Sequence, residues 1–197
     1  IPGVKIVISD EHEIIVYGHN VMQGYHNRAE ENAAVFTKDG GFKTGDMGRI
    51  DKEGYVYITG RIKEQYKLEN GKYVSPAPLE ERLKLSPYVA NVMVYGDNKP
   101  FNTALVVADV PALKKWADDN GVTGEPDALL ADARVKKLFE EELEKHSAEF
   151  KQLEKIRKFV LTAEDFTTTN DMLTPSLKVK RRVVLKAYGD KIQALYA

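Results

Sequence analysis

The chain has 197 residues, 43% of them apolar and 30% charged, enough for one large domain or two small ones with a real core. Its 29 basic and 30 acidic residues leave a formal net charge of −1, which removes the electrostatic footprint of a nucleic-acid or anionic-membrane protein. There is no cysteine, so disulfides, thiolate catalysis and cysteine-type zinc sites are excluded.

His12, His19, His26 and His146 show no i, i+4 pairing and no acidic neighbour at a metal-ligand spacing, so no metal site is expected. No apolar run approaches the roughly 18 residues needed to cross a bilayer. The opening Ile-Pro-Gly-Val-Lys-Ile-Val has neither an initiator methionine nor a charged segment ahead of an apolar one. It reads as the interior of a longer protein, not as a signal peptide.

Strand and turn signals dominate residues 1–60. Short β-rich runs predict strands over 4–8 and 13–17, around a polar turn at 9–12. A helix is predicted over 28–36, after which Asp39-Gly40-Gly41 forces a turn. The runs 47–50 and 55–59 flank Asp51-Lys52-Glu53-Gly54, a short glycine-containing connection that signals a hairpin.

Past Arg61 the pattern becomes mixed. Runs over 63–67 and 72–74 flank Glu69-Asn70-Gly71, where Asn-Gly supplies the positive backbone angles of a tight turn. A short helix is predicted over 78–85, opened by Pro78, then strands over 89–95 and 103–108. A helix over 112–119 stops at Asn120-Gly121. The longest helical pattern covers 128–158, with Phe139, Leu143, His146, Phe150 and Leu153 recurring at steps of three and four. Its apolar seam is short, so it predicts an amphipathic helix laid on its own sheet in preference to a coiled coil. A strand over 159–161, a threonine-rich loop and a helical tail from about Lys180 complete the chain. The β character stops at Gly60-Arg61, which places the expected domain boundary there, with Ile62-Lys63-Glu64 free to act as a joint.

Three segments hold residues suited to chemistry. In Phe42-Lys43-Thr44-Gly45-Asp46-Met47-Gly48, two glycines flank a carboxylate between extended runs. A carboxylate can accept two hydrogen bonds at once, as a ribose diol requires, or it can simply cap a turn. Gly60 to Lys67 presents basic side chains able to reach phosphate or ribose oxygens, or only solvent. In Leu173-Thr174-Pro175-Ser176-Leu177-Lys178-Val179-Lys180-Arg181-Arg182, Pro175 stiffens a loop and Lys178 stands just ahead of a basic helix start. A lysine held there can meet an anion that develops during reaction, or can be one more charge in a tail. The run lacks the interleaved aromatics of a nucleic-acid patch.

Taken in order, these segments resemble the late motifs of the adenylate-forming superfamily of acyl-CoA synthetases, luciferases and peptide-synthetase adenylation domains. The matching order is Gly24-Tyr25, Lys43-Thr44-Gly45-Asp46, Gly54-Tyr55 to Gly60-Arg61, Lys67 with Gly71, and Pro175 to Lys178. Within the superfamily, Asn98-Lys99-Pro100-Phe101-Asn102-Thr103-Ala104-Leu105-Val106-Val107 and Leu-Thr-Pro-Ser-Leu-Lys are most similar to long-chain fatty acid–CoA ligases. The resemblance implies an α+β fold. Residues 1–60 would be the last β-rich subdomain of a large N-terminal domain. Residues 61–197 would be the mobile C-terminal domain, a mixed sheet backed by helices.

It also implies roles. Asp46 would hold the ribose hydroxyls of ATP with help from Arg61, and Ile58 would lie beside the nucleotide. Lys63 matches the pivot of the mobile domain. Lys178 would act in adenylation, bridging the carboxylate and the α-phosphate. Lys67 and the Gly71 region would face the site when CoA attacks. ATP, Mg²⁺ and CoA would serve the full-length enzyme, with none bound to this chain alone. The implied partners are a fatty acid, ATP, CoA and the chain's own N-terminal domain, in the cytoplasm, with peripheral membrane contact through the lipid substrate left open. Departures from the pattern are a basic residue at Lys63, followed by Glu64, and a turn at 68–72 one residue longer than in some relatives. The Ser/Thr/Gly-rich phosphate loop and an acyl pocket are absent from these 197 residues, so the chain alone is expected to be inactive. Two rivals remain: a ligase for a shorter or aromatic acid, or one that loads a carrier protein, and a non-catalytic module keeping the fold.

Overall fold

The computed structural model describes residues 1–197 and divides into two compact units, Ile1–Gln65 and Tyr66–Ala197. In the first, β1 (Lys5–Ile8), β2 (Glu13–Tyr17), β3 (Phe42–Ile50) and β4 (Val56–Arg61) form one antiparallel sheet in that order. The helix α1 (Ala29–Val35) interrupts the sequence between β2 and β3. β3 is longer than its apolar run suggested, because its Lys43 and Phe42 pair with Ile15 and Val16 across β2. Gly60 and Arg61 lie inside β4, opposite Met47 and Asp46. The division between units therefore falls beyond the expected Gly60-Arg61 boundary, after a 3₁₀ turn at Ile62–Glu64. That turn replaces the first part of the extended run expected over 63–67.

In the second unit β5 (Tyr66–Lys67) and β6 (Tyr73–Val74) form a small hairpin, followed by α2 (Pro76–Leu83). The helix begins earlier than expected because Ser75 is still extended and Pro76 occupies the first turn, where its missing N–H costs nothing. Next come β7 (Val89–Tyr95), β8 (Asn102–Ala108), α3 (Val110–Asp119), α4 (Pro126–Ala131), α5 (Ala133–His146), β9 (Ile156–Thr162) and α6 (Arg181–Ala194). The sheet β7-β8-β9 is mixed, with β7 antiparallel and β9 parallel to β8. The expected α+β class is the one observed.

Both faces of this sheet are covered, which is why β8 reads as an unbroken apolar run instead of an alternating one. Ala104, Val106 and Ala108 join Leu79, Leu83, Leu113, Phe139 and Leu143 on one side. Leu105 and Val107 join Val184, Tyr188 and Ile192 of α6 on the other, with Phe166, Met172 and Leu173.

The single helix expected over 128–158 is divided among α4, α5, a run of turns and the start of β9. Asp132 is extended, ending α4, and its carboxylate accepts the Arg134 N–H at 2.7 Å to start α5. α5 stops at His146, whose ring lies 3.4 Å from Glu142. Phe150 and Leu153 keep helical spacing but belong to turns, because Asn102 draws in the Leu153 and Glu154 carbonyls at 3.0 and 2.9 Å. The chain then enters β9 at Ile156, ahead of the expected strand start, to pair with Asn102. No helix is long and apolar enough to cross a membrane.

Candidate functional site

Asp46 stands between two β-bulges, the device by which sheets re-aim a side chain. One breaks the β2–β3 register between Glu13 and Ile15, and the other breaks β3–β4 between Met47 and Gly48. At the second, a Cβ on Gly48 would come within 2.6 Å of Ile14 and 2.7 Å of the Tyr57 carbonyl, so only glycine fits. Thr44 and Glu13 fix the approach: Thr44 Oγ1 accepts the Asp46 N–H at 3.1 Å, and Glu13 accepts the Gly45 N–H at 2.9 Å.

The structure brings Asp46 and Arg61 together as register partners, with Arg61 Nε donating to Asp46 Oδ1 at 2.8 Å. Oδ2 stays free to accept further hydrogen bonds. Ile58, on the same strand as Arg61 and opposite Gly48, is 69% exposed, far too open for a core residue. Lys63 is the middle residue of the exposed 3₁₀ turn.

Five turns in the chain share one plan, a tight turn followed by a single residue with positive φ. In each, an N–H closes back on the first residue's carbonyl and that residue's N–H donates to the carbonyl just past the turn. The positive-φ position holds His12, Gly40, Gly54 and Gly71 in four of them. Gly71 lies in the β5–β6 hairpin, while Asn70 before it has no positive φ, so only half of the Asn-Gly pair plays the expected part. Lys67 sits at the base of that hairpin, its ammonium 5.8 Å from the Tyr73 ring centre.

In the fifth turn, Thr174-Pro175-Ser176, the position falls to Leu177 at φ 60°. Leu177 donates to the Thr174 carbonyl at 2.8 Å, Thr174 donates to the Lys178 carbonyl at 2.8 Å, and Lys178 N–H donates to Thr174 Oγ1 at 3.0 Å. A bridge between Leu173 and Val179 closes the base. The segment expected to be a proline-stiffened loop is thus a pinned hairpin, with Lys178 just past its tip. A leucine at positive φ costs about 1–2 kcal/mol, partly offset in any change to glycine by about 0.5–1 kcal/mol of unfolded-state entropy. Leu177→Gly is therefore expected to raise stability by up to about 1.5 kcal/mol, read as a higher denaturant midpoint. A lower midpoint would show that the leucine is not strained.

The fold also sorts the four cations that look alike in sequence. Lys180 is paired with Asp171, and Arg181 with Glu80 at 2.6 Å. Lys178 and Arg182 are exposed and outside any ion pair, and of these only Lys178 stands on the hairpin.

One feature escaped the sequence. A cleft of about 290 Å³ in the second unit is lined by Leu68, Asn70, Lys72, Phe101, Lys155 and Arg157, among others. The guanidinium of Arg157 and the ammonium of Lys158 stand 5.7 and 5.8 Å from the centre of the Phe101 ring. Lys155 is paired with Glu144 at 2.6 Å, whereas Lys72 and Arg157 have no carboxylate partner. Lys155-Ile156-Arg157-Lys158 was the only signal, and it was absorbed into the over-long helical pattern. No group of three His, Asp or Glu side chains is placed to hold a metal ion.

The model of the AMP-binding enzyme C-terminal domain matches residues 63–197. The chain belongs to that family. The chain is 37% identical to the long-chain-fatty-acid–CoA ligase FadD15 of Mycobacterium tuberculosis, over 100% of its own length and 33% of that protein's. It is 34% identical to long-chain-fatty-acid–CoA ligase 5 of Mus musculus, covering 96% of the chain and 28% of that ligase. The chain thus spans about a third of the length of the curated relatives it matches. Among solved structures, it matches the adenylation domain of a carboxylate reductase from Mycobacterium chelonae with a TM-score of 0.76 and 28% identity, over 98% of this chain and 30% of that one. The adenylation domain of carboxylic acid reductase from Segniliparus rugosus, in complex with AMP and a co-purified carboxylic acid, gives 0.75 and 28%, over 98% and 31%. The family and the mixed, helix-backed sheet are those of adenylate-forming enzymes.

Proposed function

We propose that the full-length protein carrying this chain is an ATP-dependent long-chain fatty acid–CoA ligase. The observation that carries the reading is Lys178: exposed and unpaired on a pinned hairpin, while Lys180 and Arg181 beside it are neutralised. In the first half-reaction a carboxylate oxygen attacks the α-phosphorus of ATP, and the bond to the β-phosphate bridge breaks, releasing pyrophosphate. Two anions are being joined, so a fixed cation where charge accumulates lowers the barrier. Lys178 is the residue we assign to that task. Asp46 accepts the ribose hydroxyls, with Arg61 fixing its carboxylate, and Ile58 offers an apolar wall beside the nucleotide.

In the second half-reaction the CoA sulfur attacks the acyl carbon, the bond to AMP breaks, and the thiol proton passes to solvent. Lys178 must withdraw for this step, and Lys63, in a turn outside any sheet, is the pivot we assign. Lys67 and the Gly71 turn then meet the site. The cationic cleft beside that turn suits the phosphates of CoA, which favours CoA over a carrier protein as the thiol donor. Lys72→Glu combined with Arg157→Glu is expected to raise the half-saturating CoA concentration about 10-fold, with pyrophosphate exchange unchanged. An unchanged CoA requirement would remove the cleft from the mechanism and favour the carrier protein. These residues offer no cluster of three carboxylate or imidazole groups to hold Mg²⁺.

The experiment is thioester formation from a fatty acid, ATP and CoA. The full-length protein should form acyl-CoA and AMP, and this chain alone should form neither. Thioester formation by the chain alone, or no fatty-acid dependence in the full-length protein, would contradict the reading.

A further inference from the structure

Arg181 is built into the fold in a way its neighbours are not. Its Nη2 donates to both Glu80 carboxylate oxygens at 2.6 Å, and its Nη1 donates to the Val94 carbonyl at 2.9 Å. Glu80 Oε1 in turn accepts the Val94 N–H at 2.7 Å. β7 is an edge strand, and at Val94 both main-chain groups face away from β8. The Glu80–Arg181 pair satisfies them as a neighbouring strand would, tying α2, β7 and the first residue of α6 together.

The Lys178 hairpin runs directly into this knot. Val179 is bridged to Leu173, Lys180 N–H donates to the Met172 carbonyl at 2.8 Å, and Arg181 follows. Arg181 is therefore where the hairpin arm bearing Lys178 is fastened to the body of the unit. A flexible lysine side chain needs a fixed base if its ammonium is to arrive at one place, and a displacement of about 1 Å can cost about 100-fold in rate.

We propose that Arg181, clamped by Glu80, is a positioning residue for Lys178, setting the reach of its ammonium in the adenylation half-reaction alone. This rests on the role assigned to Lys178 above. A lysine at 181 keeps the charge but cannot span both carboxylate oxygens and the Val94 carbonyl at once.

In the full-length protein, Arg181→Lys should lower the maximal rate of fatty-acid-dependent pyrophosphate exchange by about 10-fold or more. The half-saturating ATP concentration and thioester formation from supplied acyl-adenylate should not change. Amide hydrogen exchange should accelerate at Leu177 and Lys178 but not along β8. Equal loss in both half-reactions, wild-type pyrophosphate exchange, or lost protection along β8 would each overturn the proposal, the last by showing that Arg181 serves the fold as a whole. Lys178→Ala, run beside it, separates the two ideas: if it leaves pyrophosphate exchange intact, the role of Lys178 fails; if it does not, and Arg181→Lys has no effect, only the positioning role fails.

Discussion

In the full-length protein, Lys178→Ala is expected to lower fatty-acid-dependent pyrophosphate exchange by about 10²–10³-fold, the usual loss when one preorganised partner of a developing anion is removed, about 3–4 kcal/mol. The size follows from the way the hairpin holds Lys178. Three hydrogen bonds fix Thr174, Leu177 and Lys178 to one another, so little ordering of the backbone is left for the moment of reaction. Lys178→Arg should recover only part of the rate, because a planar fork differs in length and shape from a compact ammonium. Lys180→Ala supplies the internal control. Its ammonium is already committed to Asp171 on the surface, an interaction worth about 0–1 kcal/mol, so exchange should fall by no more than about 3-fold.

The second large effect is on stability. Glu80→Ala leaves the buried Val94 N–H without its acceptor and the part-buried Arg181 guanidinium without its carboxylate, a combined loss of about 2–4 kcal/mol. Trp116 is the only tryptophan and packs at the edge of the core that includes Leu79 and Leu83 of α2. Its fluorescence in a denaturant titration therefore reports the unit concerned, and the midpoint should fall sharply. Replacing Glu80 and Arg181 together by methionine removes both charges and should recover part of the loss, the remainder reflecting the buried Val94 N–H and carbonyl left without partners. A double variant as unstable as Glu80→Ala would show that the penalty is not an unpaired charge.

The Gly71 and Lys178 segments were legible in sequence because they lie in turns, where glycine, proline and charge mark positions locally. Asp46 was legible from Gly45 and Gly48 around it, although it lies within β3 between two bulges and not in a turn. The strands β7 and β8 were equally legible, since apolar runs bounded by polar turns have few other uses. What could not be read depends on partners distant in the chain. Glu80 meets Arg181 across 101 residues, and nothing near either one signals the other. The start of β9 was hidden because Phe150 and Leu153 preserve helical spacing, while the bonds that end the helical pattern come from Asn102. Leu177 was opaque for another reason: leucine does not advertise positive φ, and only the hairpin reveals it.

The most direct test of the two-step account is the step that Lys178 should not affect. Full-length Lys178→Ala protein is given preformed acyl-adenylate and CoA, and thioester appearance is followed beside wild type. The rate should stay within about 3-fold of wild type, against the far larger loss in pyrophosphate exchange. Equal losses in both half-reactions would contradict a lysine that serves adenylation and then withdraws.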